Sequence, residues 1–414
     1  MALAGAIGNL LEWYDFGLYG LLAPVLATLF FPGRNRIAAL LAVYGGFAIG
    51  FAMRPIGAVV LGRLGDRVGR RFVLLVSVML MGISTVAVGL LPTYDAIGIW
   101  APVLLIVTRM FQGFSVGGEF VGSVTYLVES APPGRRGFAG SIANWGATAG
   151  LLLAAGVASI ATDKAGFAHP NAWAWRIPFL LGGALASAAY YTRRSLPEVM
   201  PEPTPPEKLN AKAPLWQALR EEPGAMLASL LFTTGYGIIN YLTMVFLPTY
   251  AHEFGHVAEY QALRANTAGQ ALALLIVPIA GWASDRLFTR RTILFAMCLG
   301  EAVVAWSAFD LARQGGVEGL WIAQLAFALL LAIVMGTAPA MLAEQFRSGY
   351  RVTAHAVVFN IGIGVFGGTA PIVAIALIRT TSNSMAPAGY LIFAAVLSAA
   401  SVLALRDRSR APLD

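Results

Sequence analysis

Charge is scarce in this sequence. Asp, Glu, Lys and Arg make up 12% of its 414 residues, about half the share that gives a soluble domain its hydrated surface. That shortage excludes a water-soluble enzyme, a disordered chain and a coiled coil, each of which needs abundant charge or polar surface. Cysteine is nearly absent too. Cys298 stands alone and has no partner within the chain, which excludes a disulfide scaffold. No Gly-Lys-Ser/Thr phosphate loop occurs, so ATP-driven transport has no support. Asn171 is followed by Ala-Trp and is not a glycosylation sequon.

What the sequence has in quantity is apolar length, with 58% of residues hydrophobic. A helix needs about 20 mostly apolar residues to cross the hydrocarbon layer. Twelve such runs are found, at about 3–28, 38–62, 72–91, 100–127, 138–160, 174–192, 224–250, 266–283, 292–311, 319–342, 353–378 and 388–405. They are too long for the strands of a membrane barrel, and the first is too long for the apolar core of a signal peptide. The fold class is an all-α membrane protein of twelve transmembrane helices.

The net charge of +7 is explained by topology. With both termini placed in the cytoplasm, the inner segments hold 19 Lys and Arg and the outer segments 7, with Arg54 and Arg109 inside spans. That asymmetry follows the positive-inside rule, puts the basic loops against anionic lipid and leaves nucleic acid without a domain to bind it. The expected location is the inner membrane, with the bilayer as the surrounding partner.

Residues 193–222 hold six prolines and many charges. They read as a cytoplasmic connector between an N-terminal six-helix bundle, 1–192, and a C-terminal one, 223–414. The halves repeat each other. Gly62, Asp66, Arg67 and Arg71 follow the second span, in a loop that also holds Gly65, Gly69 and Arg70. Gly281, Asp285, Arg286 and Arg290 follow the eighth at a constant offset, while Glu129 and Arg136 recur as Glu344 and Arg351. Such a parallel repeat suits a carrier whose two bundles rock about a site between them. In these loops the Asp can cap a facing helix N-terminus and the arginines can bridge to acids at neighbouring helix ends. The whole set, including Glu129 and Glu344, is assigned to gating.

The Gly62–Arg71 loop resembles the signature loop of the major facilitator superfamily. Gly8-Asn9 through Glu12-Trp13-Tyr-Asp15-Phe16-Gly17, Arg54-Pro55-Ile-Gly57, Gln112-Gly113 through Gly118-Glu119, Trp175-Arg176-Ile-Pro178-Phe179, and Asn360 with Phe366-Gly367-Gly368-Thr-Ala-Pro371 resemble its metabolite:proton symporter branch. The resemblance spans nearly the whole chain. It implies the two pseudo-symmetric six-helix bundles of the major facilitator fold and uptake of a small organic acid, such as a di- or tricarboxylate, with protons. A zwitterionic osmolyte such as proline or betaine is the alternative cargo. Phe288 stands where the first loop has Gly69, and Asn144-Trp145 depart from the branch pattern.

Ionisable groups at membrane depth are functional candidates by default. Glu12 lies about 13 Å into the first span at 1.5 Å per residue, and Asp15 and Tyr19 share its face. Arg54 lies at a similar depth, and Arg109, Gln112 and Glu119 form a stripe on the fourth span. Asp15, Glu12 and Glu119 are the proton-coupling candidates. Desolvation favours the protonated carboxyl and a nearby arginine the ionised one, so a substrate engaging that arginine would tune proton affinity. Arg54, Arg109, Tyr19, Gln112, Asn144, Tyr236, Asn240, Tyr241 and Asn360 are the substrate-binding candidates. His355 reads as a helix-end hydrogen-bonding group, and Glu301 and Asp310 as facing helix neighbours or the outer interface. His252-Glu253-Phe-Gly-His256 matches a zinc-protease motif but reads as a solvated outer loop. No metal, no cofactor beyond the proton as coupling ion and no enzymatic activity are expected, and the carrier is expected to work as a monomer. A non-transporting receptor on the same scaffold is the reading from another class.

Overall fold

The computed structural model describes residues 2–33, 35–68, 70–116, 119–132, 134–165, 173–194, 214–411 and 413. Twelve helical segments follow one another at the expected places, and the chain is a multi-pass membrane protein. The first is bent by 61° between Gly8–Leu21 and Ala23–Phe30, with Pro24 in the opening turn of the second piece, where a missing N–H costs nothing. Next come Arg36–Val68, Arg70–Leu90, the pair Trp100–Ser115 and Glu119–Glu129, Arg136–Ala165 and Arg176–Arg194. A short helix, Pro214–Glu221, precedes the second six. These are Pro223–Gly255, Glu259–Arg286, Arg290–Gln314, Gly316–Ala343, Arg351–Thr381 and Ala386–Ala404. Among the described residues nine helices are long and apolar enough to cross a membrane, ten with the bent pair. The third and sixth complete the twelve.

The helices overshoot the apolar runs by a few residues at most ends, because their polar first and last turns extend past the hydrocarbon. That corrects the reading of His252–His256. Residues 252–255 continue the seventh helix and only His256 leaves it, with φ 54°. The seventh and eleventh helices each contain a π-helical stretch, Leu242–Phe246 and Asn360–Gly367, the kind of irregularity often found at functional sites.

Two glycine contacts set the helix spacing that matters most. A Cβ on Gly113 of the fourth helix would fall 1.7 Å from the Gly50 carbonyl oxygen of the second. The two backbones touch there, which brings Arg109 beside the helix that carries Arg54. A Cβ on Gly137 would meet Ser284 and the Gly281 carbonyl of the eighth helix at 2.3 and 2.5 Å. The fifth and eighth helices, one from each half, cross at that point.

Candidate functional site

The first helix supplies two buried acids to two different neighbours. Asp15 is fully enclosed. Its Oδ2 pairs with Arg109 at 3.0 Å, and its Oδ1 accepts from Thr85 Oγ1 and Gln112 Nε2, each at 2.6 Å. Arg109 also donates to Gln112 Oε1 at 2.6 Å. The guanidinium lies over the rings of Tyr19 and Phe16, at 4.2 and 4.8 Å. Tyr19 donates its hydroxyl to the Val43 carbonyl, so here it is a wall of the Arg109 site. Gln112 likewise belongs to the Asp15 network.

Three residues nearer the helix start, Glu12 faces the second helix and pairs with Arg54 at 3.0 Å; the two side chains are 1% and 3% exposed. The Arg54 guanidinium is held between Phe16 and Phe51, 4.4 Å from each ring centre. The second helix presents Phe47, Phe51 and Arg54 at i, i+4 and i+7, hence on one face. Each arginine is therefore matched by one acid. Among the described residues this central cluster holds two arginines and two acids, paired one to one.

From the second half, Tyr241 reaches this cluster. Its ring lies nearly parallel to Trp13 at 6.4 Å and edge-on to Phe51 and Phe47 at 5.4 and 5.6 Å. Asn144 donates to the Met335 carbonyl at 2.6 Å and its amide also meets the Tyr236 hydroxyl, tying the fifth helix to the tenth and seventh. Asn240 is buried, with an Oδ1 that accepts no hydrogen bond among the described residues. Asn360 is not brought into the cluster: it is only partly buried, and its amide donates to Ala356 one turn back on its own helix.

The described residues expected to gate the carrier assemble at the end that carries the second Gly-Asp-Arg motif. Both Asp285 oxygens accept from the backbone N–H groups of Gly137 and Phe138, at 2.8 and 2.9 Å. These open the fifth helix, so the Asp does cap a facing N-terminus. Arg290 bridges Asp285, at 2.8 Å, and Glu344. Arg136 then pairs with Glu344 at 3.1 Å and Arg351 with Glu129 at 2.6 Å. The repeated Glu and Arg are thus exchanged between halves, each Arg holding the other half's Glu. Burial pushes the Glu344 carboxyl above its usual range, against the opposing pull of Arg290 and Arg136. Arg286 departs from the expected role. It is exposed and lies over Trp282 at 5.8 Å. The side chains of Gly62, Gly65, Asp66, Arg67, Gly69, Arg70, Arg71 and Glu119 lie outside the described residues, as does connector segment 195–213.

The opposite end is tied as well. Arg36 pairs with Glu253 at 2.9 Å, and Tyr44 and Thr249 share a hydrogen bond of 3.1 Å. Glu253, read from sequence as part of a solvated loop, is therefore half of an inter-half ion pair. His252 Nδ1 meets the Val257 carbonyl at 2.9 Å. Among the described residues, the two halves are thus in contact at both ends.

His355 settles differently from expectation, Glu301 and Asp310 settle within it, and Thr85 escaped it. His355 is buried against Phe359, and its Nδ1 makes no hydrogen bond among the described residues, so helix-end bonding does not explain that nitrogen. Glu301 faces the bundle interior, fully buried and with no hydrogen bond to either oxygen among the described residues, while Asp310 pairs at the surface with Arg313. Thr85, a direct partner of Asp15, escaped because a single threonine in an apolar span carries no signal. Of the two rings against Arg54, Phe51 could have been found from its i, i+3 spacing on the same helix, whereas Phe16 on the first helix could not.

Residues 1–199 match the family model described as "Sugar (and other) transporter". The chain is 32% identical over 420 residues to the proline/betaine transporter of Escherichia coli K12, covering 99% of this chain and 84% of that protein. It is 33% identical to the glycine betaine/proline/ectoine/pipecolic acid transporter of Dickeya dadantii, covering 99% and 83%. Among solved structures, a crystal structure of a D-xylose-proton symporter superimposes with a TM-score of 0.74 at 19% identity, covering 96% of both chains.

Proposed function

Because the chain belongs to the major facilitator superfamily, in the metabolite:proton symporter branch with the proline/betaine transporters, we propose that it carries a small zwitterion such as betaine or proline into the cell together with a proton. The observation that carries this reading is the one-to-one neutralisation of the buried arginines, Arg54 by Glu12 and Arg109 by Asp15. A di- or tricarboxylate, expected first from the sequence, needs surplus positive charge, and the described core offers none. A zwitterion needs one charge of each sign. It can enter between Glu12 and Arg54, its ammonium meeting the acid and its carboxylate the guanidinium, and leave the charge balance unchanged.

In this reading the two pairs divide the work. Glu12 and Arg54 lie beside Tyr241 of the opposite half, so they hold the cargo. Asp15 is sealed behind Thr85, Gln112 and Arg109, so it holds the proton. When cargo draws on the shared ring Phe16, which lies against both arginines, it alters the packing of Arg109 over Asp15 and so links the two occupancies. The bundles 1–192 and 223–414 rock as units about this centre. The Asp285, Glu344 and Glu129 contacts close the cytoplasmic side and Arg36–Glu253 the outer side. Both termini then lie in the cytoplasm, the membrane is the inner one, and a single chain suffices.

The test is uptake into proteoliposomes with an imposed proton gradient, acid outside. Labelled betaine or proline is expected to accumulate above its outside concentration and to stop doing so when an ionophore collapses the gradient. Accumulation of citrate or α-ketoglutarate, with neither zwitterion taken up, would overturn the assignment. Tight binding of the zwitterion without any accumulation would mean a receptor.

A further inference from the structure

The central cluster contains unspent hydrogen-bond donors. Trp13 Nε1, the Tyr241 hydroxyl and Arg54 Nε are all buried and make no hydrogen bond among the described residues. Trp13 is 6% exposed, Arg54 3% and Tyr241 1%. A buried polar group without a partner is destabilising, so three of them in one cluster call for an explanation. Indole and guanidinium nitrogens can only donate, and a phenol donates readily. What is missing is therefore an acceptor with several lone pairs, and a carboxylate is the simplest ligand group of that description.

The same cluster presents aromatic faces. Trp13 and Tyr241 come from opposite halves and lie within 19° of parallel at 6.4 Å, with Phe51 and Phe47 set edge-on against Tyr241. A cation is attracted by a ring when it lies within about 6 Å of the centroid. At 6.4 Å the two rings are too close to admit an alkylated ammonium between them. Because each rides on a different half, a separation of about 3 Å during rocking would open the gap and still leave a cation within about 5 Å of both faces. Seating the cation thus requires movement, and closing on it restores the contact between halves.

Resting on the zwitterion reading above, we propose that Trp13 and Tyr241 form the seat for the cargo's alkylated ammonium group, with Phe47 and Phe51 as its walls. Arg54 Nε, the Tyr241 hydroxyl and Trp13 Nε1 bind the cargo carboxylate at the rim. The site thereby selects N-alkylated amino-acid zwitterions, whose charge is spread over methyl or methylene groups. A bare ammonium holds water too tightly to exchange it for ring faces. Glu12 balances the cation from one side, and the rings distinguish it from an uncharged group of equal shape.

The experiment compares binding of glycine betaine with binding of 3,3-dimethylbutanoate, which keeps the carboxylate and the shape but replaces the ammonium nitrogen by carbon. The purified full-length protein is titrated with each. Wild type is expected to prefer betaine by at least about tenfold, the effect of 1.4 kcal/mol and within the range of desolvated cation–ring contacts. Trp13→Leu and Tyr241→Leu should bring the preference to within about twofold, while Trp13→Phe and Tyr241→Phe, which keep a ring, should retain most of it. A wild type that binds both compounds equally would overturn the seat. So would leucine variants that bind betaine and keep the wild-type preference. If wild type binds neither betaine nor proline, the zwitterion reading itself fails and the seat with it, an outcome separate from the other two.

Discussion

Glu12 and Arg54 neutralise each other in the interior, and that pairing makes a definite demand on any substitution. Removing one partner strands the other as an uncompensated buried charge, which costs about 3–5 kcal/mol. Replacing both does not. Glu12→Gln is therefore expected to lower the thermal unfolding midpoint in detergent, and Glu12→Gln with Arg54→Met to recover most of the loss, although neither variant binds betaine. A double variant as unstable as the single would contradict the pairing. Glu301 makes the opposite prediction. Its oxygens have no hydrogen-bond partner among the described residues, so Glu301→Gln fills the same volume and forfeits none. Uptake should stay within about twofold of wild type, and the midpoint should move by less than one hydrogen bond's worth, about 1 kcal/mol. Sequence alone revealed the acids and arginines, because an ionisable group stands out in an apolar run. It did not reveal which acid meets which arginine, since Glu12 and Asp15 share one face of the first helix and only the neighbours' placement separates them.

At the scale of helices, two contacts carry the architecture. Gly113 lies against the Gly50 carbonyl, so Gly113→Ala must push the second and fourth helices apart and disturb both Arg54 and Arg109. At least a tenfold loss of uptake is expected, whereas Gly122→Ala, where a Cβ would meet nothing within 4 Å, should be tolerated. Equal effects of the two would contradict this. The Asp285 cap on the fifth helix is the other contact. Its loss in Asp285→Ala costs about 1–2 kcal/mol, which favours opening at that end by roughly tenfold. A reporter Ser141→Cys, placed beside Gly281 in a Cys298→Ser background, should be labelled by a thiol reagent about that much faster, and an unchanged rate would remove Asp285 from the gate. The apolar runs located all twelve helices, since hydrocarbon thickness fixes their length. The bend in the first and the π-helical stretches of the seventh and eleventh left no periodic mark. The second copy of the loop motif disclosed its capping chemistry at Asp285, because Asp at a helix end has few other uses in a membrane protein.

As a whole molecule, the chain is tied at both ends of the interface between its halves. Transport requires that one set of ties break while the other holds, and the buried pairs let this happen without exposing net charge to lipid. The division of labour between Asp15 for the proton and Glu12 with Arg54 for the cargo is the centre of the account. It is tested most directly by Asp15→Asn in proteoliposomes, measured two ways on one preparation. Gradient-driven betaine accumulation should fall to the level of protein-free vesicles, while exchange of labelled for unlabelled betaine at equal concentrations, which needs no net proton movement, should stay within severalfold of wild type. Accumulation that survives the substitution and still responds to the proton gradient would contradict the account.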